Sequence, residues 1–425
     1  MQVFRKSLSL SRTAAVKSQA TAARGFSSSI GDNESFVVGL ARTPVGKLGG
    51  ALSSLTAPQL GAHVISSALE RSGMDGAHIE EAFMGNVVSA NIGQAPTRQA
   101  VISSGLHLDV PSTTINKVCA SGMKALMTAS MSITSGYRNA CVAGGMESMS
   151  NIPYYLPGAR TGYRLGNNKV VDGLVNDGLW DIYNNQHMGM CGESCATDFN
   201  ITREEQDAYA IQSYQRAAAA WEAGKFADEV APVTIKGKRG KPDTVVSIDE
   251  EFTNIKMDKI TSIPSAFKKD GTITAANAST INDGATAFVV VSGKMVKDLN
   301  LSPLFKIRGY GDAARAPVEF TIAPSDAVPR ALAMAGVSAG DIEYHEINEA
   351  FSVVAMANAR LMNLDMDLVN VNGGAVALGH PIGSSGARII GTLYNVLKQN
   401  DATLGCASIC NGGGGASAIV IERMQ

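Results

Sequence analysis

Short apolar runs broken by glycine, proline and polar turns alternate along this chain with segments whose apolar residues recur at helical spacing, the pattern of an α/β protein. Phe36-Val37-Val38-Gly39-Leu40 reads as a first strand, and a loop holding Arg42-Thr43-Pro44 follows it. A helix opens at Ala57-Pro58 and ends near Gly73, with proline in its first turn and glycine at its end. A second strand falls at Ala82-Phe83-Met84, and a helix starts at Pro96 and runs to about Ser104. The β-rich run 113–118 then passes within one residue into small and apolar positions that continue to Thr134 and stop at Ser135-Gly136. Met123, Leu126, Met127, Met131 and Ile133, with Lys124 as the single charge, make this helix buried nearly all round. Asn139-Ala140-Cys141-Val142-Ala143-Gly144-Gly145 supplies the next strand and turn. Cys119 therefore stands where a strand enters a helix, and unpaired N–H groups at the positive dipole end favour a thiolate there. Taken alone, it reads first as a buried structural thiol, because free cysteine is among the most buried residue types.

The same order of elements returns after residue 300. A strand at 304–307 precedes Arg315-Ala316-Pro317, and Ala323-Pro324 opens a helix. The segment from Ala68-Leu69 through Gly73 to Ile79-Glu80 aligns without a gap on Ala331-Leu332 through Gly336 to Ile342-Glu343. Ser121-Gly122 corresponds to Ser385-Gly386, whose helix runs to about Lys398, and Gly284-Ala285 through Val290 matches Gly415-Ala416 through Ile421. Four matches in one order mark a duplicated α/β unit. Between Ser150 and about Ala275 nothing corresponds, so an inserted lid or loop domain is expected there. It holds Trp180, Trp221, a helix over about 203–223 capped by Thr202-Arg203-Glu204-Glu205, and the basic run 236–241, read as a solvated hairpin before a phosphate contact.

Composition then narrows the setting. The chain has 425 residues, 45% hydrophobic and 17% charged, which suits a large buried core. A formal net charge of −2 gives no global sign of nucleic-acid binding. No segment reads as a membrane span, since the long uncharged run 404–421 is broken by Asn411 and the glycines 412–415 into strand, turn and strand. Residues 1–31 carry Arg5, Lys6, Arg12, Lys17 and Arg24, many Ser, Thr and Ala, and no acid. That is a transit-peptide composition, and Arg24-Gly25-Phe26-Ser27 resembles a matrix cleavage pattern, so removal after Phe26 and a mitochondrial matrix location are expected. In that compartment the six cysteines are expected as thiols rather than disulfides. The C-x-x-x-C pairs Cys191/Cys195 and Cys406/Cys410 are less suited to zinc than to burial, and 406–410 reads as a strand.

Three clusters in the second half carry candidate chemistry. Glu346-Ile347-Asn348-Glu349-Ala350-Phe351 sets acids and an amide where a strand enters a helix, with helix capping by Asn348 as the plain alternative. Asn372-Gly373-Gly374 through Gly379-His380-Pro381-Ile382-Gly383 places one of only six histidines in a glycine-dense bend. Cys410-Asn411-Gly412-Gly413-Gly414-Gly415 has no following helix and no Lys-Ser/Thr pair, so it is not a nucleotide P-loop. Free N–H groups in such a turn, beside a thiol, suggest an oxyanion hole.

Asn116-Lys117-Val118-Cys119-Ala120-Ser121-Gly122, Asn348-Glu349-Ala350-Phe351, Gly379-His380-Pro381-Ile382-Gly383 and Cys410-Asn411-Gly412-Gly413-Gly414 resemble the four signature motifs of the thiolase family. The resemblance runs from about residue 35 to the end. It is nearest to the short-chain mitochondrial branch through His187-Met188-Gly189, Ala275-Ala276-Asn277-Ala278-Ser279 and Cys410-Asn411. It implies two βαβαβαββ halves in a five-layer α-β-α-β-α arrangement: residues 32–150 completed by 276–298, and 299–425, with a loop domain at 151–275. The implied reaction joins two acetyl-CoA into acetoacetyl-CoA and CoA, with no organic cofactor. Cys119 would be the acyl-accepting nucleophile assisted by His380, and Cys410 the acid/base, workable if its neighbours lower a thiol pKa modestly. Asn348 (through a water) and His380 would hold the enolate oxygen, and the N–H groups of Cys119 and Gly412 the tetrahedral one.

The resemblance further implies that His187, Tyr214, Lys259 and Ser279 line the CoA channel. Tyr214, Ala275, Ala276, Ala278 and Val376 would ligate potassium, mostly through main-chain oxygens. Relatives assemble as homotetramers through the loop domain. One departure stands out: where relatives set an Arg-containing triplet against the CoA adenosine, this chain has Asn254-Ile255-Lys256. The alternatives are a 3-ketoacyl-CoA thiolase of β-oxidation for longer chains, and a CoA- or lipid-binding scaffold without chemistry. The latter should lack at least one of Cys119, His380 and Cys410.

Overall fold

A computed structural model of the chain describes residues 30–237 and 240–424. The transit-peptide assignment therefore lies almost wholly outside the described residues, as do Lys238 and Arg239 of the basic run. The first half comprises β1 (Ser35–Arg42), α1 (Ala57–Ser72), β2 (Glu81–Gly85), α2 (Pro96–Ser103), β3 (Ser112–Ile115), α3 (Ser121–Thr134) and β4 (Ala140–Ser148). The chain then passes through α4 (Met188–Asp198) and α5 (Arg203–Glu222) before returning as β5 (Asn282–Ser292). The second half follows as β6 (Phe305–Ala314), α6 (Pro324–Ala335), β7 (Tyr344–Ile347), α7 (Ser352–Met362), α8 (Ile382–Gln399), β8 (Leu404–Asn411) and β9 (Gly415–Arg423).

The strands line up as β3-β2-β4-β5-β1 and then β6-β9-β8-β7, joined edge to edge where Phe36 and Val37 pair with Lys306 and Phe305. Each half keeps the same directions. β2 is parallel to β3 and β4, β7 is parallel to β8, and the remaining pairs are antiparallel. A single parallel bridge between His345 and Val369 stands where the second half would otherwise repeat β3. Both first strands bulge at the same place, between Val37 and Gly39 and between Ile307 and Gly309. The two glycines serve one purpose: a side chain at Gly39 would strike the Ala68 carbonyl, and one at Gly309 would lie 2.6 Å from the Ala331 carbonyl. Ala68 and Ala331 are the residues that the sequence repeat equates.

Strand alternation sorts the core into layers. Ala285, Ala287, Val289 and Val291 face α1 and α2, whereas Phe288 and Val290 face inward. In the second half Ala416, Ala418 and Val420 face α6, whereas Ile419 and Ile421 face inward. The inner faces of both half-sheets close on α3 and α8, which lie side by side at the centre. That gives helix, sheet, helix, sheet, helix. α3 is not buried all round, since Met131 reaches solvent and Lys124 pairs with Asp312 at 2.6 Å. Among the described residues no helix is long and apolar enough to cross a membrane.

Between β4 and β5 the chain forms α4, α5 and three small hairpins. Thr202 and Glu205 make the expected capping box of α5. The basic run lies beside one hairpin, Val233–Ile235 with Thr244–Val246, where Lys236 pairs with Asp243 in solvent at 2.7 Å. Arg42 anchors this region from beneath: fully buried, it donates to Glu229 at 2.6 Å and to both oxygens of Asp249 at 2.8 and 3.0 Å. Its burial is tolerable because both partners are charged and its fork is filled.

Candidate active site

The nucleophile turn is tighter than the strand-to-helix junction read from the sequence. β3 ends at Ile115 rather than 118, and residues 116–120 form a turn before α3 begins at Ser121. Val118 takes a left-handed backbone, φ 48°, which is unfavourable for a β-branched residue and must be held by its surroundings. Asn116 accepts from the Val118 N–H at 3.0 Å and donates to the Val87 carbonyl at 3.0 Å. Ser121 accepts from the Lys117 N–H at 2.8 Å and donates to the Val118 carbonyl at 2.6 Å. These bonds fix Cys119 at the mouth of the helix, half-buried, between half-buried Val118 and buried Ala120.

The second half brings its groups to the same place. Ser385, which the repeat equates with Ser121, donates to the Pro381 carbonyl at 2.9 Å, so its oxygen accepts from His380 Nδ1 at 2.6 Å. That assigns the proton to Nδ1 and leaves the Nε2 lone pair facing the site, 3.5 Å from the Asn348 amide. Asn348 does not cap a helix: α7 begins at Ser352 with Phe351 as its N-cap. Asn348 is instead buried, with Oδ1 lacking any hydrogen-bond partner among the described residues. Cys410 lies fully buried near the end of β8, and the glycine turn beyond it aims the Gly412 N–H at the Cys119 sulfur.

The electrostatics differ from the sequence expectation at both thiols. Burial pushes Cys119 up to about 11, outweighing the N–H groups of Gly412 and of Cys119 itself and the charge of Lys117, which pull the other way. Burial and the neighbouring Cys119 drive Cys410 well above the ordinary thiol range rather than modestly below it. Burial, helped by Arg388, lowers His380 to about 3. The resting site therefore holds two neutral thiols and a neutral imidazole. A helix N-terminus alone does not overcome desolvation here.

Cys119, His380 and Gly412 open into one largely apolar cavity of about 230 Å³, walled by Met188, Phe320 and Phe351 among others. His187 and Ser279 line it as well. His187 accepts from the Gly189 N–H at 3.1 Å as N-cap of α4 and stacks on Phe267 at 4.6 Å. A second hollow of about 380 Å³ shares Phe267, Ala278 and Ser279 with the first and leads outward past Lys47 and Glu251. Lys259 is not brought to either wall; it sits exposed on the turn Met257–Ser262. Tyr214 is also off the cavity, buried in a cluster with Ala276 and Val376. The main-chain oxygens of Ala275, Ala276, Ala278 and Val376 accept no hydrogen bond among the described residues, and Glu251 and Glu349 lie close enough to raise the Tyr214 phenol further above its buried range. Such a set of free oxygens in negative potential fits a hard monovalent cation. Among the described residues no group of three His, Cys, Asp or Glu could hold a metal, and all six cysteines are unpaired. The sequence reading assigned no role to Phe267, Phe320 or Lys117; the first two carried no signal beyond being isolated aromatics in loops.

A duplicated fold that sets a cysteine at one helix start against a histidine and a second cysteine from the other half defines a cysteine-dependent acyl-transfer enzyme. The chain belongs to the thiolase family. The thiolase N-terminal domain model matches residues 35–294, and the thiolase C-terminal domain model matches 301–423. Acetyl-CoA acetyltransferase 1 of Arabidopsis thaliana is 55% identical over 390 residues, covering 92% of this chain and 94% of that one. The mitochondrial acetyl-CoA acetyltransferase of Bos taurus is 52% identical over 393 residues, covering 92% of each chain. The crystal structure of Acat5 thiolase from Ascaris suum in complex with coenzyme A superposes with a TM-score of 0.87 at 44% identity, covering 92% of this chain and all of that one.

Proposed function

We propose that this chain is an acetyl-CoA C-acetyltransferase, joining two acetyl-CoA into acetoacetyl-CoA and CoA and running the reverse thiolysis. The observation that carries this is the meeting of Cys119, His380 and the Gly412 N–H at one apolar cavity, with Cys410 behind them. Cys119 sulfur attacks the thioester carbonyl, and its proton passes to His380 Nε2. The oxygen that becomes negative lies toward the N–H groups of Cys119 and Gly412. The bond to the CoA sulfur then breaks, Cys410 protonates that sulfur, and acetyl-Cys119 remains. Cys410, now a thiolate, takes an α-proton from a second acetyl-CoA. The enolate oxygen is held by His380, which carries a proton on Nε2 only because Cys119 supplied it, and by Asn348 through a water. Attack of the carbanion on acetyl-Cys119 forms the carbon–carbon bond and expels the Cys119 thiolate, which recovers its proton from His380. Every proton is returned, and neither thiol needs to be ionised at rest.

Two substitutions test the roles. Cys119→Ala should abolish labelling by radioactive acetyl-CoA, whereas Cys410→Ala should still be labelled, more slowly because solvent must then protonate the leaving CoA thiolate, and should stop condensation; equal labelling would refute the assignment. Thiolysis across chain lengths tests the substrate, and a clear preference for long 3-ketoacyl-CoA over acetoacetyl-CoA would make this a β-oxidation thiolase instead.

The CoA pantetheine would run through the two joined hollows past His187 and Ser279. Tyr214, Ala275, Ala276, Ala278 and Val376 would hold potassium through the free oxygens described above, steadying the segment that carries Ser279; equal activity in potassium and sodium buffers would dismiss this. We assign 151–275 as a loop domain and homotetramer formation to it, supported by exposed Leu156, Leu165, Val170, Ile182 and Tyr183. Sedimentation of a monomer at micromolar concentration would overturn that. The basic, acid-free leader supports a matrix location, to be checked by N-terminal sequencing of imported protein, with Ser27 expected first.

A further inference from the structure

Lys117 stands two residues before the nucleophile, and the reaction above gives its side chain no task. Its Nζ lies 3.0 Å from Asn411 Oδ1, 3.1 Å from the Ala416 carbonyl, 2.9 Å from Ser417 Oγ and 3.2 Å from Asp312. All these acceptors belong to the other half of the chain, on β6, β8 and β9. An ammonium has three protons, so this one is saturated by its fixed partners. Asn411 lies between Cys410 and Gly412, so the contact joins the nucleophile turn directly to the turn that carries the acid/base and the oxyanion donor.

The fold repeats this arrangement in mirror roles. Glu147 pairs with Gly284 across β4 and β5, and Asn411 pairs with Gly415 across β8 and β9, so the two occupy equivalent strand ends. Glu147 reaches across to the other half's helix start, accepting from the Gly383 N–H at 3.0 Å. Asn411 reaches across to the Cys119 turn through Lys117. Each half thus clamps the helix start of the other, and at the catalytic start Lys117 is the link. Val118's left-handed backbone gives that link something to hold, because a turn bearing a β-branched residue at φ 48° relaxes when its restraints are removed.

We propose that Lys117 is a positioning residue that holds the Cys119 sulfur in register with the Gly412 N–H, and that this register sets the rate of acyl transfer to Cys119. The proposal rests on the thiolase reading given above. Displacement of an attacking atom by about an ångström costs on the order of a hundredfold in rate. The same ammonium also favours the Cys119 thiolate, opposing Glu147 of β4 and the effect of burial. The other ionisable groups facing this pair are His380 and Cys410 at the sulfur, and Asp312 of β6 and Lys124 of α3 at the ammonium.

The test uses the full-length enzyme, with single-turnover acetylation by acetyl-CoA read by mass spectrometry and the pH profile of Cys119 alkylation by iodoacetamide. Lys117→Met should slow acetylation by roughly 10- to 100-fold with the KM for acetyl-CoA changed less than about twofold, and should move the alkylation profile to higher pH. Lys117→Gln, uncharged but able to donate to Asn411, should recover part of the acetylation rate while its alkylation profile stays shifted. Should Lys117→Met not fold, Ser417→Ala removes one acceptor and should slow acetylation about threefold. Acetylation at the wild-type rate in these variants overturns the proposal, as does slowing with an unchanged alkylation profile. Wild-type enzyme that is never acetylated at Cys119 would instead overturn the thiolase reading, whatever the variants do.

Discussion

The two helix starts at the centre of the molecule occupy equivalent cradles and do opposite things. By the repeat, Cys119 corresponds to Gly383, Gly85 to Asn348, Gly145 to Ile409 and Met146 to Cys410. In the first-half cradle a side chain at Gly85 would lie 2.7 Å from the Gly383 carbonyl, one at Gly145 would collide with it, and Glu147 takes the Gly383 N–H. The start of α8 is sunk into the strand ends and locked. In the second-half cradle the positions equivalent to Gly85 and Met146 carry Asn348 and Cys410, both buried, and a cavity opens at the helix start, lined by Cys119 with His380 and Gly412. Duplication supplied two geometrically matched sockets. Filling one with glycine-mediated contact made it a rigid mount for His380, and leaving the other open made room for substrate. Tight packing on one side positions the chemistry on the other.

Exchanging the properties of one equivalent pair should break this contrast most visibly. Asn348→Ala, in the open socket, is expected to lower kcat by roughly 10²–10³ while leaving the thermal transition almost unmoved, since the lost amide supports a developing charge rather than the core. Steady-state kinetics beside a melting curve would check it, and a large stability loss would mean the socket is not open. Gly85→Ala, at the matching position of the locked socket, is expected to destabilise by about 1–3 kcal/mol, because the new carbon meets the Gly122 nitrogen and the Gly383 carbonyl rather than a movable side chain. A urea midpoint equal to wild type would show that the first socket has slack.

The smallest effect concerns pH. The second half buries His345 and His380, whereas His63, His78 and His107 of the first half are partly or fully exposed. Burial lowers His345 to about 4 and His380 to about 3. Their folded-state affinities for protons are depressed, so their contribution to stability is fully present above the ordinary histidine range, declines as pH falls through that range and is gone below about 4 to 3. His345→Gln should shrink the fall in urea midpoint between pH 7 and pH 5. An unchanged fall would place the acid sensitivity elsewhere.

Much of this was legible along the chain. The helix over 57–73, the capped helix after Thr202 and the strand–turn–strand at the C-terminus follow from local pattern, and the duplication follows from aligned short-range strings. The four motifs that resemble the thiolase signature single out Cys119, Asn348, His380 and Cys410 as candidates because reactive groups need particular residue types at particular turns. Misreadings came where long-range contact overrides local preference. The β-rich run 113–118 ends three residues early as a strand because Asn116 and Ser121 bend the chain there.

The amino-acid sequence by itself determined the α/β class, the twofold repeat and the candidate reacting groups, all encoded in neighbours a few residues apart. Only the tertiary structure decided how deeply the thiols are buried and which groups Lys117 and Glu147 contact. A thiol's pKa depends on how much water remains around it. Lys117 and Asn411 are 294 positions apart, and Glu147 and Gly383 are 236 apart. No local pattern records a contact over that distance; it exists only once the two halves close on α3 and α8.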